Sequence, residues 1–98
     1  MYGTLSRRVE LQDNNGSCLL IAETRAHTKL LSPAVLDDLL NGRGGIGTIL
    51  RRYSVETIRR IEHIGYDSEA RCLYRRYLII HNGQVWFDIH EEFTAGRF

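Results

Sequence analysis

Alternation of apolar and polar positions dominates both ends of the chain. From Thr4 to Asp13, Leu5, Arg7, Val9 and Leu11 fall on one side of an extended segment, and Ser6, Arg8, Glu10 and Gln12 on the other. This period of two predicts a half-buried strand. Asp13-Asn14-Asn15-Gly16 is a turn by composition, because Asn and Gly tolerate left-handed backbone. A second strand is expected from Cys18 to about Lys29, opening with the apolar run Leu19-Leu20-Ile21-Ala22. The pair forms a hairpin that carries Arg7 on its apolar side.

The middle of the chain changes period. Ser32 is a favoured N-cap and Pro33 is pre-organised for the first helical position. Val35, Leu36, Leu39 and Leu40 make the apolar stripe of a short helix, Asp37 and Asp38 are expected in water, and Asn41-Gly42 ends it. Gly42 to Gly47 matches GxGxxG by letter, but it follows a helix rather than a strand and lacks a βαβ unit and a phosphate-loop Lys. It reads as a turn feeding a second helix, Ile46 to Arg52, either as a plain connection or with first amides that receive an anion. Ser54 to Gly65 is ambiguous. Val55, Ile58, Ile61 and Ile64 recur every three residues, yet the β-branched content favours a strand over a helix.

The closing hairpin spans Arg71 to Phe93. Asn82-Gly83 predicts a type I′ turn, which needs positive φ at both central residues. Counting outward without interruption pairs Ile80 with Val85, Ile79 with Trp86 and Leu78 with Phe87. Tyr74, Arg76, Leu78, Ile80, Val85, Phe87, Ile89, Glu91 and Phe93 then form the more apolar face, expected to be the core. Arg75, Tyr77, Ile79 and Trp86 fall on the other face. Arg76 and Glu91 become diagonal neighbours on the inward side, where a charge is costly unless it is paired or serves a ligand. A slip of one residue would exchange the faces. The whole reads as α+β: an antiparallel sheet of about five strands with one or two short helices on one face.

Composition narrows the function classes. Ninety-eight residues form a single domain, 1–98, and 43% apolar content argues for a folded chain. No apolar run nears the roughly 20 residues that span a bilayer, so no membrane role and a cytoplasmic location are expected. A net charge of +1 gives no basic stripe for nucleic acid. Cys18 and Cys72 are isolated, and His27, His63, His81 and His90 lack ligand spacing, so no metal is expected. No Ser or Cys sits in a nucleophile elbow. Every basic residue but Lys29 is Arg. The Arg fork suits carboxylates, although genomic base composition is the better explanation of the bias itself.

Several stretches together resemble a known family. SRRVEL and LLIAET, separated by a turn, are similar to the pattern R-x-V-x-L, turn, Ala-x-Thr. GIGTIL is similar to P-L-G-x-x-L, IEHIG to the next strand, and YRRYLIIHNGQVWFDIHEEF to a closing hairpin ending in Glu-x-Phe. In this order, over about residues 5–93, they resemble chorismate lyases (chorismate–pyruvate lyases), relatives of the UTRA ligand-binding domain of GntR-type regulators. The resemblance implies substrate-binding roles for Arg7 (or Arg8 on a gapless count), Ile46-Gly47, Arg59 and Arg76, and a catalytic acidic residue at Glu91. Matching Glu91 requires one extra residue after Gly83, a bulge. Departures include Glu23 where the family has Arg, Gly45 and His27 where it has Pro, and absence of the family's N-terminal helical part.

The resemblance implies elimination of pyruvate from chorismate to give 4-hydroxybenzoate, without metal or cofactor. A non-catalytic module binding a small aromatic or cyclic carboxylate is the competing expectation, and a structural domain with internal ion pairs the third. A homodimer is expected, through the patch of Trp86, Tyr77 and Ile79 on the face opposite the expected core.

Overall fold

The computed structural model describes residues 3–16 and 18–94. Five strands, β1 (Thr4–Gln12), β2 (Cys18–His27), β3 (Ile58–Asp67), β4 (Cys72–His81) and β5 (Gln84–Thr94), form one sheet in the order β1-β2-β5-β4-β3. Every neighbouring pair is antiparallel. A 3-10 turn (Thr28–Leu30) and two short helices, α1 (Pro33–Leu40) and α2 (Ile46–Arg52), connect β2 to β3. No helix among the described residues is long and apolar enough to cross a membrane.

The local signals act as expected. Ser32 Oγ accepts the Val35 amide at 3.3 Å and Pro33 opens α1. Asn82 and Gly83 have φ of 50° and 75°, the left-handed pair a type I′ turn demands. The ambiguous stretch resolves as strand, but it begins at Ile58 rather than Ser54. Its β-branched side chains fit the pleat beside β4, while Val55 packs against the core before the strand starts. The stretch lies at the sheet edge, where a single partner strand suffices to extend it.

The register of the closing hairpin corrects the expected faces. Ile80 pairs with Val85 as counted, but the next pair is Ile79 with Phe87, leaving Trp86 as an extra residue in β5. This bulge lets two successive aromatics, Trp86 and Phe87, both enter the core, which strict alternation forbids. Below it every β4 residue is on the face opposite to the expected one. Tyr77, Ile79 and Trp86 are therefore buried, at 4%, 4% and 8% exposure, and are not a dimer surface. Arg75 replaces Arg76 on the face of Glu91.

The helices cover one half of one sheet face. Val35, Leu39, Ile49 and Leu50 pack on Ala26, Tyr77, Ile79, Phe87 and Ile89, with Phe87 and Ile49 wholly buried. Straight rows of side chains cross the sheet beneath them. Leu5–Ala26–Phe87–Ile79–Arg59 is the first, Arg7–Thr24–Ile89–Tyr77–Ile61 the second, Val9–Ala22–Glu91–Arg75–Ile64 the third. The first two rows lie toward the helices. The third leaves their shelter, and the site forms at that boundary.

Candidate functional site

Each strand contributes to the site by alternation, since residues two apart share a face. Arg7 and Val9 come from β1, Ala22 and Thr24 from β2, Ile89 and Glu91 from β5, Tyr77 and Ile79 from β4 and Arg59 from β3. The α1–α2 loop supplies Gly45, Ile46 and Gly47. Together these residues line one cavity of about 330 Å³.

Its acidic member is held from two sides. Arg75 Nε donates to Glu91 Oε1 at 2.5 Å, and the Tyr77 hydroxyl donates to Oε2 at 3.2 Å. The Glu91 side chain is only 13% exposed, so it depends on these partners for the solvation it has lost. Burial, then the nearby Glu91 charge, pushes the Tyr77 phenol above its usual range. Tyr77 therefore stays neutral and acts as a donor.

Arg59 and Arg7 share the cavity wall with this acid. Arg59 lies over the Tyr77 ring, its guanidinium carbon 5.1 Å from the centroid. Among the described residues no carboxylate is in ion-pair range of Arg59. Arg75 also lies over the Tyr77 ring, at 5.3 Å, but its charge is already met by Glu91. Arg7 directs both terminal nitrogens at the Gly44 carbonyl, at 3.3 and 3.2 Å, tying β1 to the loop. Gly44 has φ of 120°, a conformation open to glycine alone, and this presents its carbonyl to the fork.

The loop is fixed from behind by Asp38. The α1 stripe leaves this residue on the polar side, yet it is 4% exposed. Its carboxylate accepts from Arg43 at 3.0 Å, from Arg52 at 2.6 Å and from the Tyr53 hydroxyl at 2.9 Å. The Arg43 hydrogen bond, aided by Tyr53 and Arg52, holds the Asp38 carboxyl below its ordinary range against the opposing pull of burial. Asp37 is exposed, as expected. The expectation for Asp38 fails because its partners come from beyond the helix, where periodicity carries no information. Ile46 and Gly47, which line the cavity, stand in the first turn of α2, where amides have no intrahelical acceptors.

Arg7, Ile46, Gly47, Arg59 and Glu91 thus converge, and Arg76 does not. Arg76 is on the opposite sheet face, where it grips Asp88 through Nε at 2.9 Å and Nη2 at 2.6 Å. That hydrogen bond holds the Asp88 carboxyl below its usual range. Arg8 also lies on that face, paired with Glu10 and Glu23, so of the two neighbouring arginines of β1 it is Arg7 that lines this cavity. Arg75 and Tyr77 are site residues that the uninterrupted pairing missed; the adjacent Trp86-Phe87 was the signal for the bulge. Among the described residues no group of three His, Cys, Asp or Glu is placed to hold a metal.

No protein-family model matches the chain, and no curated protein matches it.

Proposed function

We propose that this chain is a chorismate lyase-like protein, or a reduced relative of that family, whose cavity takes a small aromatic or cyclic carboxylate. We further propose that it acts in the cytoplasm and as a homodimer, without metal or cofactor. The single observation that supports the reading is the convergence of Arg7, Ile46, Gly47, Arg59 and Glu91 on one cavity.

The chemistry follows from polarity. Arg59, with no carboxylate in ion-pair range among the described residues, offers its fork to a carboxylate, and the Ile46 and Gly47 amides offer further donors beside it. Glu91 is a poised acceptor for a ring hydroxyl, and the ring has the apolar Ile79 and Ile89 to rest on. Arg7 supports the loop and keeps spare N–H groups for a second carboxylate. In the elimination, a ring C–H is lost as a proton while the bond between a ring carbon and the ether oxygen breaks, and the oxygen leaves with the enolpyruvyl group. The ring becomes aromatic, and the enolate released takes up a proton at carbon to become pyruvate. Aromatisation drives this reaction, so orientation and proton movement are what a protein must add.

A second reading has its own support. Both Glu91 oxygens already accept hydrogen bonds, from Arg75 and Tyr77. A carboxylate so engaged makes a better fixed acceptor than a proton shuttle, which favours binding without turnover. Calorimetry with 4-hydroxybenzoate and chorismate, run beside an enzymatic assay for released pyruvate, tests both readings. Heat with pyruvate release supports the lyase, and heat alone supports the binding module. Absence of heat with either ligand removes the site.

A further inference from the structure

The sheet face that carries the helices is bare over its other half. Beyond the third row lies a fourth, Leu11–Leu20–Phe93–Leu73–Tyr66, which crosses all five strands. Val9, Leu11, Ile64, Tyr66 and Leu73 in these two rows are 46%, 55%, 67%, 53% and 45% exposed. An apolar band as wide as the sheet is unlike the scattered exposed leucines of an ordinary surface.

We infer that this band is where two copies of the chain meet, face to face. The inference rests on the homodimer proposed above and names its surface. Three observations favour a second copy. First, the exposed apolar side chains form one strip, with Val9 and Leu11 at one edge of the sheet and Ile64 and Tyr66 at the other, which a matching strip covers from edge to edge. Second, the charges bordering the band, Arg75 and Glu91, already neutralise each other, so a like copy meets no unpaired charge there. Third, the shape permits closure. Sheets pack face to face about 10 Å apart, roughly the thickness of one helix layer.

That last equality selects the arrangement. A two-fold axis along the strands would drive helix layer into helix layer. An axis running along the band, across the strands, sets the helices of each copy beside the sheet end of the other. This isologous contact closes on itself. It also brings the partner's turns at 13–16 and 68–71 toward the cavity mouth, because Val9 and Ala22 border both the cavity and the band. Pairing thereby shields Glu91 from bulk water.

Sedimentation velocity between about 1 and 200 µM, with edge variants, tests the proposal. Ile64→Glu on β3 and Leu11→Glu on β1 lie at opposite edges, and both side chains are exposed in the monomer. Leu40→Glu, on the α1 surface at 61% exposure, is the control. Far-UV circular dichroism establishes that each variant is folded; should one unfold, the other edge still carries the test. The expected result is a monomer–dimer equilibrium weakened at least ten-fold by each edge variant and less than two-fold by the control. A wild-type monomer throughout overturns both the pairing and the surface, as does a monomer whose band instead binds detergent or vesicles. A dimer indifferent to both edge variants overturns the surface and leaves the pairing. Open-ended aggregation overturns the closed two-fold contact.

Discussion

Exchanging the partner of Glu91 is the sharpest perturbation the hairpin register offers. Arg75→Met keeps most of the aliphatic stem and removes the guanidinium from a carboxylate that is 13% exposed. Breaking a fully buried pair costs about 3–5 kcal/mol, and an exposed pair about 0–1. The Arg75 side chain is 39% exposed, so solvent screens the pair and the Tyr77 hydroxyl remains. A loss of about 1.5–2 kcal/mol is therefore expected, toward the low end for a charged hydrogen bond. For a domain of this size that lowers the urea midpoint by about 1–2 M at an unchanged slope. Glu91→Gln supplies the second arm of a double-mutant cycle. Coupling between positions 75 and 91 should account for most of the loss. Arg76→Met, paired with the same Glu91→Gln, should show no coupling beyond error, because Arg76 is on the other face with Asp88. Coupling of Glu91 to Arg76 and not to Arg75 would refute the bulge at Trp86, and with it the membership of the cavity.

Three further outcomes follow from the same contacts. Asp38 and Asp88 have carboxyls held below their usual range, so the unfolded chain binds more protons than the folded one in that interval. Their stabilisation is complete above about pH 4 and is lost as pH falls through the depressed folded values, and Asp38→Asn should flatten this acid limb in urea titrations at stepped pH. Asp38→Asn should also release the Gly44 loop, seen as faster amide exchange at Ile46 and Gly47 with the sheet amides unchanged. Phe87→Ala empties a wholly buried site and should cost about 3–5 kcal/mol, a large share of a total near 5–15, measured by thermal unfolding.

Much of the fold was legible because its signals are local. Ser32-Pro33 opens α1 and Asn82-Gly83 closes the last hairpin, each through backbone preferences that one or two residues fix. Alternation in β1 placed Arg7 and Val9 on one side without any knowledge of partners. What could not be read is what depends on two distant segments at once. The bulge at Trp86 is chosen because the core accepts both Trp86 and Phe87, and the core exists only after the helices dock. A single inserted residue then exchanges Arg75 for Arg76 along the rest of β4. Asp38 was missed for the same reason, since Arg52 and Tyr53 reach it from α2 and its end. Alternation within β5 was enough to put Glu91 on the inward face with Phe87 and Ile89, while its partner on β4 depended on the bulge and was misplaced.

The cavity between the α1–α2 loop and Glu91 is proposed to receive a hydroxylated aromatic carboxylate. Titration of isotope-labelled protein with 4-hydroxybenzoate, followed by amide chemical shifts, tests it most directly. Saturable shifts are expected, concentrated at Gly45, Ile46 and Gly47 and along Ile89 and Glu91, with apparent affinity reduced at least ten-fold by Arg59→Ala. Shifts confined to the Arg76 and Asp88 face, or none at millimolar ligand, would contradict it.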